Sequence, residues 1–133
     1  MQTNYSYAAV LSASQKIAWK IEDIIGGERR LDFGRPFMPE ALARTSALTS
    51  LDAVEQRTLN QIRGHTYLCI FGLVEEFILP FVLDHARTLL PGDDNRTRAL
   101  LGFAAEEAKH IHLFKRFRQL IEQHRPATAG NIR

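Results

Sequence analysis

The chain has 133 residues, 45% of them apolar, with 24% charged residues of mixed sign that leave a net charge of +2. This length suits one domain, in which about two-thirds of the unfolded surface can be buried, and the composition argues against disorder. The charge balance implies no strong field for nucleic acid. Cys69 is the only cysteine, which excludes an internal disulfide and fits a reducing compartment. The opening residues Met-Gln-Thr-Asn-Tyr-Ser lack a basic segment followed by an apolar one, so a cytoplasmic protein is expected.

Ser6 to Ile25 reads as a first helix, with apolar Val10, Ile17, Ile21 and Ile24 and a stop at Gly26-Gly27. From Glu28 to Ser50 the periodicity dissolves around Gly34, Pro36 and Pro39, which predicts a surface-wrapping loop over about 26–50 with one helical turn at Glu40–Arg44. Leu31, Phe33, Phe37 and Met38 should pin that loop to the body. Ser50 is a candidate N-cap for a long helix over about 51–89, on the order of 55–60 Å in length. Pro80 should kink it by removing the hydrogen bond to the Glu76 carbonyl. Pro91-Gly92 closes that helix, and Asp93 or Asp94 caps the next, which covers about 94–124. The domain spans 1–125, and residues 126–133 read as a frayed tail. The expected fold is all-α, a long antiparallel hairpin plus an N-terminal helix.

Within this frame, Glu75 and Glu76 interrupt an apolar stretch from Tyr67 to Leu83. A buried, unpaired carboxylate costs several kcal/mol, so such a position calls for a proton, a cation or a metal. The final helix supplies Glu107-Ala108-Lys109-His110, a Glu-x-x-His step. Phe103, Glu107, His110, Phe114, Phe117 and Ile121 recur at spacings of 4, 3, 4, 3 and 4, one continuous stripe that places Glu107 and His110 toward the core. Glu106 and Lys109 fall to the more solvated side.

An antiparallel hairpin puts residues equidistant from the turn at one height. The midpoint of positions 76 and 107 is 91.5 and that of 76 and 110 is 93, both at the turn. Glu76, Glu107 and His110 are therefore the candidate metal ligands, with Glu75 as the alternative to Glu76. Periodicity leaves the two open: Ile62, His65, Cys69, Gly72, Glu76, Leu79 and Leu83 form one stripe, and Leu68, Gly72, Glu75, Leu79 and Val82 form another. Height favours Glu76. Gly72 would leave room beside either carboxylate, and His65 is a candidate to support the ligands from one layer out. Oxygen and nitrogen donors of this kind suit iron or manganese better than zinc.

These residues resemble half the ligand set of a ferritin-like di-iron carboxylate protein, the class of ferritins, rubrerythrins and oxygen-activating di-iron enzymes. The resemblance covers roughly residues 50–124. The contexts Val-Glu-Glu-Phe-Ile-Leu-Pro and Ala-Glu-Glu-Ala-Lys-His-Ile-His are also similar to larger proteins near the p-aminobenzoate N-oxygenase type. The resemblance implies a ferritin-like bundle, a di-iron cofactor (Fe, with Mn as the alternative), and an oxidoreductase or ferroxidase that handles dioxygen or a small-molecule substrate. It also implies a further carboxylate and a second Glu-x-x-His, which this sequence lacks. Either two copies dock as a homodimer about a two-fold axis, or the chain is part of a longer one that holds the second half.

The competing reading is a metal-free dimerisation or scaffold module with buried ion pairs, Glu76 with His110 and Glu107 with His65. His85, His112 and the basic residues Arg96, Arg98, Lys115, Arg116 and Arg118 read as solvated, so no nucleic acid is expected. Two glutamates and a proline within the 17 apolar residues argue against a membrane span. Trp19 and Tyr67 need only packing and a hydrogen-bond partner.

Overall fold

The structure, a computed structural model, describes residues 6–92 and 94–124. Asp93 and the 126–133 tail lie outside the described residues. Five helices follow in chain order: α1 (Tyr7–Lys16), α2 (Ile21–Ile24), α3 (Glu40–Ala43), α4 (Ala53–Leu89) and α5 (Asp94–Gln123). No strand occurs among the described residues. The all-α expectation holds, and its centre is the α4–α5 hairpin.

The N-terminal helix is shorter than its periodicity suggests. Ser6 caps α1 by accepting a hydrogen bond from the Ala9 amide at 3.2 Å, but the helix ends at Ile17 (φ −111°, ψ 58°) and resumes only at Ile21. Two interactions account for the interruption. The Asp23 carboxylate accepts the Lys20 amide at 3.0 Å, a local cap that competes with helical continuation. Trp19 is drawn onto α5, where its indole N–H donates to Glu106 at 2.8 Å. A tertiary anchor of this kind overrides weak helix propensity. The break re-phases the segment, so Ile17 is 72% exposed while Ile25 is buried. Gly26 and Gly27 then end α2 with positive φ, 147° and 60°, which glycine alone adopts cheaply.

The wrapping loop is stitched to α4 by side-chain amides. Asn60, the largest fully buried side chain, accepts from the Phe37 and Met38 amides at 2.8 and 3.1 Å and donates to the Met38 carbonyl at 2.9 Å. Gln61 donates to the Phe33 and Arg35 carbonyls, both at 2.8 Å, and Arg63 donates to the Ala43 carbonyl. Gly64 allows the closest approach: a β-carbon there would stand 2.9 Å from Phe37 Cβ. The expected turn at Glu40 is present as α3.

The cap of α4 is Asp52 rather than Ser50. Asp52 accepts from the Val54 and Glu55 amides at 2.8 and 2.9 Å, and Glu55 reaches back to the Asp52 amide at 2.9 Å. A Ser50 cap would place Ala53 where the reciprocal acid is needed, so the Asp-x-x-Glu box prevails. α4 spans 37 residues, with Pro80 inside it. At the far end the Gly92 amide donates to the Leu89 carbonyl at 2.9 Å, and α5 returns beside α4. Asp94 is the first residue of α5 and pairs with Arg98 at 4.0 Å.

The hairpin is covered on one side only. The chain exposes 10428 Å², whereas a compact globular protein of its mass exposes about 7,100 Å². Much of α4 facing away from α5 is apolar and open, including Ile70 (53%), Phe77 (66%) and Phe81 (61%). An 18-residue window of α4 has mean hydropathy 1.8 with none of it buried; by length and composition the helix could cross a membrane.

The loop stitching yields a prediction. Asn60→Ala leaves two amides and a carbonyl without partners in a buried position, with an expected loss of about 2–3 kcal/mol in unfolding free energy. Urea denaturation followed by circular dichroism measures it; a change below a few tenths would show that the loop does not depend on Asn60.

Candidate metal centre

Antiparallel packing brings the middle of α4 against the middle of α5. Gly72 lies against Phe114, where a β-carbon would be 3.6 Å from Phe114 Cβ, and it lines a cavity of about 190 Å³ beside Glu76, Lys115 and Arg118. One turn on, Glu75, Glu107 and His110 converge, with one potential ligand atom from each lying within 4.8 Å of the others. His110 Nδ1 lies 3.2 Å from Glu107 Oε2 and 3.8 Å from Glu75 Oε1. Glu107 is buried, Glu75 nearly so, and His110 keeps one edge toward solvent.

The two adjacent glutamates divide in the opposite sense to the height argument. Glu76 forms an ion pair with Lys115 at 2.8 Å, and that hydrogen bond and charge, with help from Arg118, hold its carboxyl below the usual range. Equal height constrains position along the axis but says little about rotation around it. Successive helical residues differ by about 100°. That rotation sends Glu75 to the Glu107 side of α5 and Glu76 to the Lys115 side. The carboxylate of the cluster is Glu75.

His65 does not support the ligands. It is ten residues from Glu75, about 15 Å along the helix. Its Nε2 lies 3.7 Å from Cys69 Sγ, and it lines a separate cleft of about 390 Å³ with Phe33, Phe37 and Ile121. The ion pairs expected for a metal-free core also differ: His110 faces Glu75 and Glu107, and neither Glu76–His110 nor Glu107–His65 forms.

Trp19 is the residue that sequence reasoning undervalued. Its ring stacks on the His110 imidazole, centroids 5.7 Å apart and planes 18° apart, while Phe114 stacks beside the same imidazole at 6.3 Å. The indole is fixed from below by Glu106 and Lys109: Lys109 sits 4.7 Å above its ring and 2.6 Å from Glu106. That contact and the Trp19 hydrogen bond hold Glu106 ionised below its ordinary range. Glu106 and Lys109 thus clamp the residue that packs on the imidazole. No periodic signal marks Trp19; it reaches the site because the N-terminal helix breaks.

The basic residues are dispersed among different contacts. Arg96 lies over the Tyr7 ring at 5.9 Å, Arg98 pairs with Asp94 and Lys115 with Glu76.

The Glu75 carboxyl is pushed up to about 7 from 4.5, first by its hydrogen bond with Glu107, then by burial and by the Glu107 charge, with His110 opposing. Two acids this close keep one proton between them near neutral pH. A cation can replace that proton. The donor set, two carboxylates and an imidazole on rigid helices, fits a hard or borderline divalent ion. No second Glu-x-x-His occurs in the sequence.

Comparison with protein-family models, with curated proteins and with solved structures found no match to this chain.

The raised Glu75 carboxyl predicts a pH dependence for the metal-free protein. Between pH 4.5 and about 7 the unfolded chain releases this proton while the folded chain keeps it, so stability falls as pH rises through that window and levels off above it. Glu75→Gln is expected to flatten this slope in thermal melts collected from pH 4.5 to 8. An unchanged slope would place the proton elsewhere.

Proposed function

We propose that this chain is a ferritin-like metal-binding protein that supplies one half of a di-iron carboxylate centre, serving an oxygen-activating oxidoreductase or a ferroxidase in the cytoplasm. The observation that carries the reading is the convergence of Glu75, Glu107 and His110 from two helices around the buried Glu107 carboxylate. Two buried acids are tolerable together only with a shared proton or a cation, and the adjacent imidazole adds a donor that a simple acid pair does not require. Glu107, the most buried of the three, stands between Glu75 and His110. Glu75 holds the proton in the metal-free state and gives it up as metal enters, while Trp19 and Phe114 keep the imidazole turned to the carboxylates. Iron bound here would supply the redox chemistry toward dioxygen, with manganese the alternative ion. The remaining ligands of a complete dinuclear site would come from a second copy or from a longer chain.

A second reading is a metal-free helical scaffold, and one feature favours it: the shared proton already satisfies the acid pair. The two differ on metal content. Anaerobic addition of ferrous iron should give stoichiometric binding, quench the emission of Trp19, which is the only tryptophan, and raise the melting temperature by preferential binding to the folded state. Oxygen uptake on admission of air then reads the redox activity. Glu75→Gln, or Glu107→Ala combined with His110→Ala, should lower iron affinity at least tenfold, whereas Glu76→Gln should leave it near wild type. Binding that survives the Glu107/His110 double change, or a chelator-insensitive melt with no iron retained, favours the scaffold.

A further inference from the structure

We infer that the outward face of α4 is a two-fold interface on which a second copy of this chain docks through its own α4, antiparallel. The face is centred on Val74, and its large apolar residues are nearly symmetric about that position. Ile70 and Ile78 lie four residues to either side, Phe71 and Phe77 three, and Tyr67 and Phe81 seven. Offsets of three, four and seven keep a helix on one side. Ile78 is half-buried, Phe71 edges onto α5 with its ring 6.4 Å from that of Phe114, and all residues of the face but Ile78 are between 43% and 66% exposed, with no charged side chain among them.

Three properties of this face point to a copy of itself rather than another occupant. An isologous contact requires residue i to meet j and j to meet i. A nearly symmetric stripe laid antiparallel on its duplicate meets that condition with like against like: isoleucine on isoleucine, phenylalanine on phenylalanine, and aromatic Tyr67 on aromatic Phe81. The ends also carry opposite charges: Arg63, which donates to the Ala43 carbonyl, and Asp84, which pairs with Arg87 at 3.5 Å, lie eleven and ten residues from Val74 on opposite sides, so antiparallel docking sets unlike charges at each end. The area is sufficient too. At 150–250 Å² per large side chain, the exposed fractions amount to roughly 600 Å² per copy from these side chains alone, close to the ~800 Å² per partner of a standard interface.

The interface is independent of the metal reading. Glu75 is rotated about 100° from Val74, toward α5, so docking leaves the carboxylate cluster at the side of the interface rather than within it. The dimer is therefore expected in the presence of chelator, and loss of metal binding would not disturb it.

Sedimentation equilibrium and light scattering on the full chain, with and without EDTA, should give a dimer. Val74→Arg, which sets two cations against each other at the axis, should weaken it by about a hundredfold or more in dissociation constant, with helicity checked by circular dichroism. Orientation is read separately, in chains close to native. In a Cys69→Ser background, Tyr67→Cys and Phe81→Cys chains should form a mixed disulfide when combined and little disulfide when kept apart. A monomeric wild type overturns the proposal, whether or not it sediments with phosphatidylcholine–phosphatidylglycerol vesicles; co-sedimentation would make the face a lipid surface. A dimer unaffected by Val74→Arg, or self-crosslinking of Tyr67→Cys alone, overturns it as well.

Discussion

The hairpin is organised around a negative charge that packing takes away from water. Glu107 is buried between α4 and α5, a second carboxyl reaches it from the facing helix, and the nearest compensation is an imidazole one turn along its own helix. Left ionised and alone, two such groups would push the helices apart; a shared proton relieves them, and a bound cation would do the same. Much of the surrounding arrangement follows from meeting that condition. The rings of Phe114 and Trp19 flank the imidazole, and the neighbouring acid and amine of α5, Glu106 and Lys109, are occupied with the indole rather than with the cluster.

Several features of this arrangement were legible in the amino-acid order and others were not, for identifiable reasons. The long antiparallel pair, the turn at Pro91-Gly92 and the depth at which Glu107 and His110 lie all follow from heptad-like spacing and from symmetry about the turn. The choice between Glu75 and Glu76 does not. Neighbouring residues share nearly the same height, and rotation about α4 is set by what packs on it, here Gly72 against Phe114 and Lys115 beside Glu76. The cap illustrates the same limit on a smaller scale. Ser50 and Asp52 are both good caps, and only the position of Glu55 decides between them.

The failures at the N-terminal segment and at His65 have another origin. Periodicity over Ser6–Ile25 is compatible with a single helix, but a long-range contact between Trp19 and α5, 87 residues apart in sequence, breaks it. No local pattern announces a contact of that span. His65 lies on the stripe that would have carried Glu76; once rotation assigns Glu75 to the cluster, His65 belongs to the cleft beneath the wrapping loop.

The stacking of Trp19 on His110 has a thermodynamic corollary for residues 6–25. A cation bound at the cluster would act on the same imidazole that this stretch packs against, so each would alter the free energy of the other by an equal amount. A ligand that tightens the ring's placement would draw the leading segment onto the hairpin, and detaching that segment would weaken retention of the ligand. The indole thus ties the two short leading helices to the imidazole beside the buried Glu107.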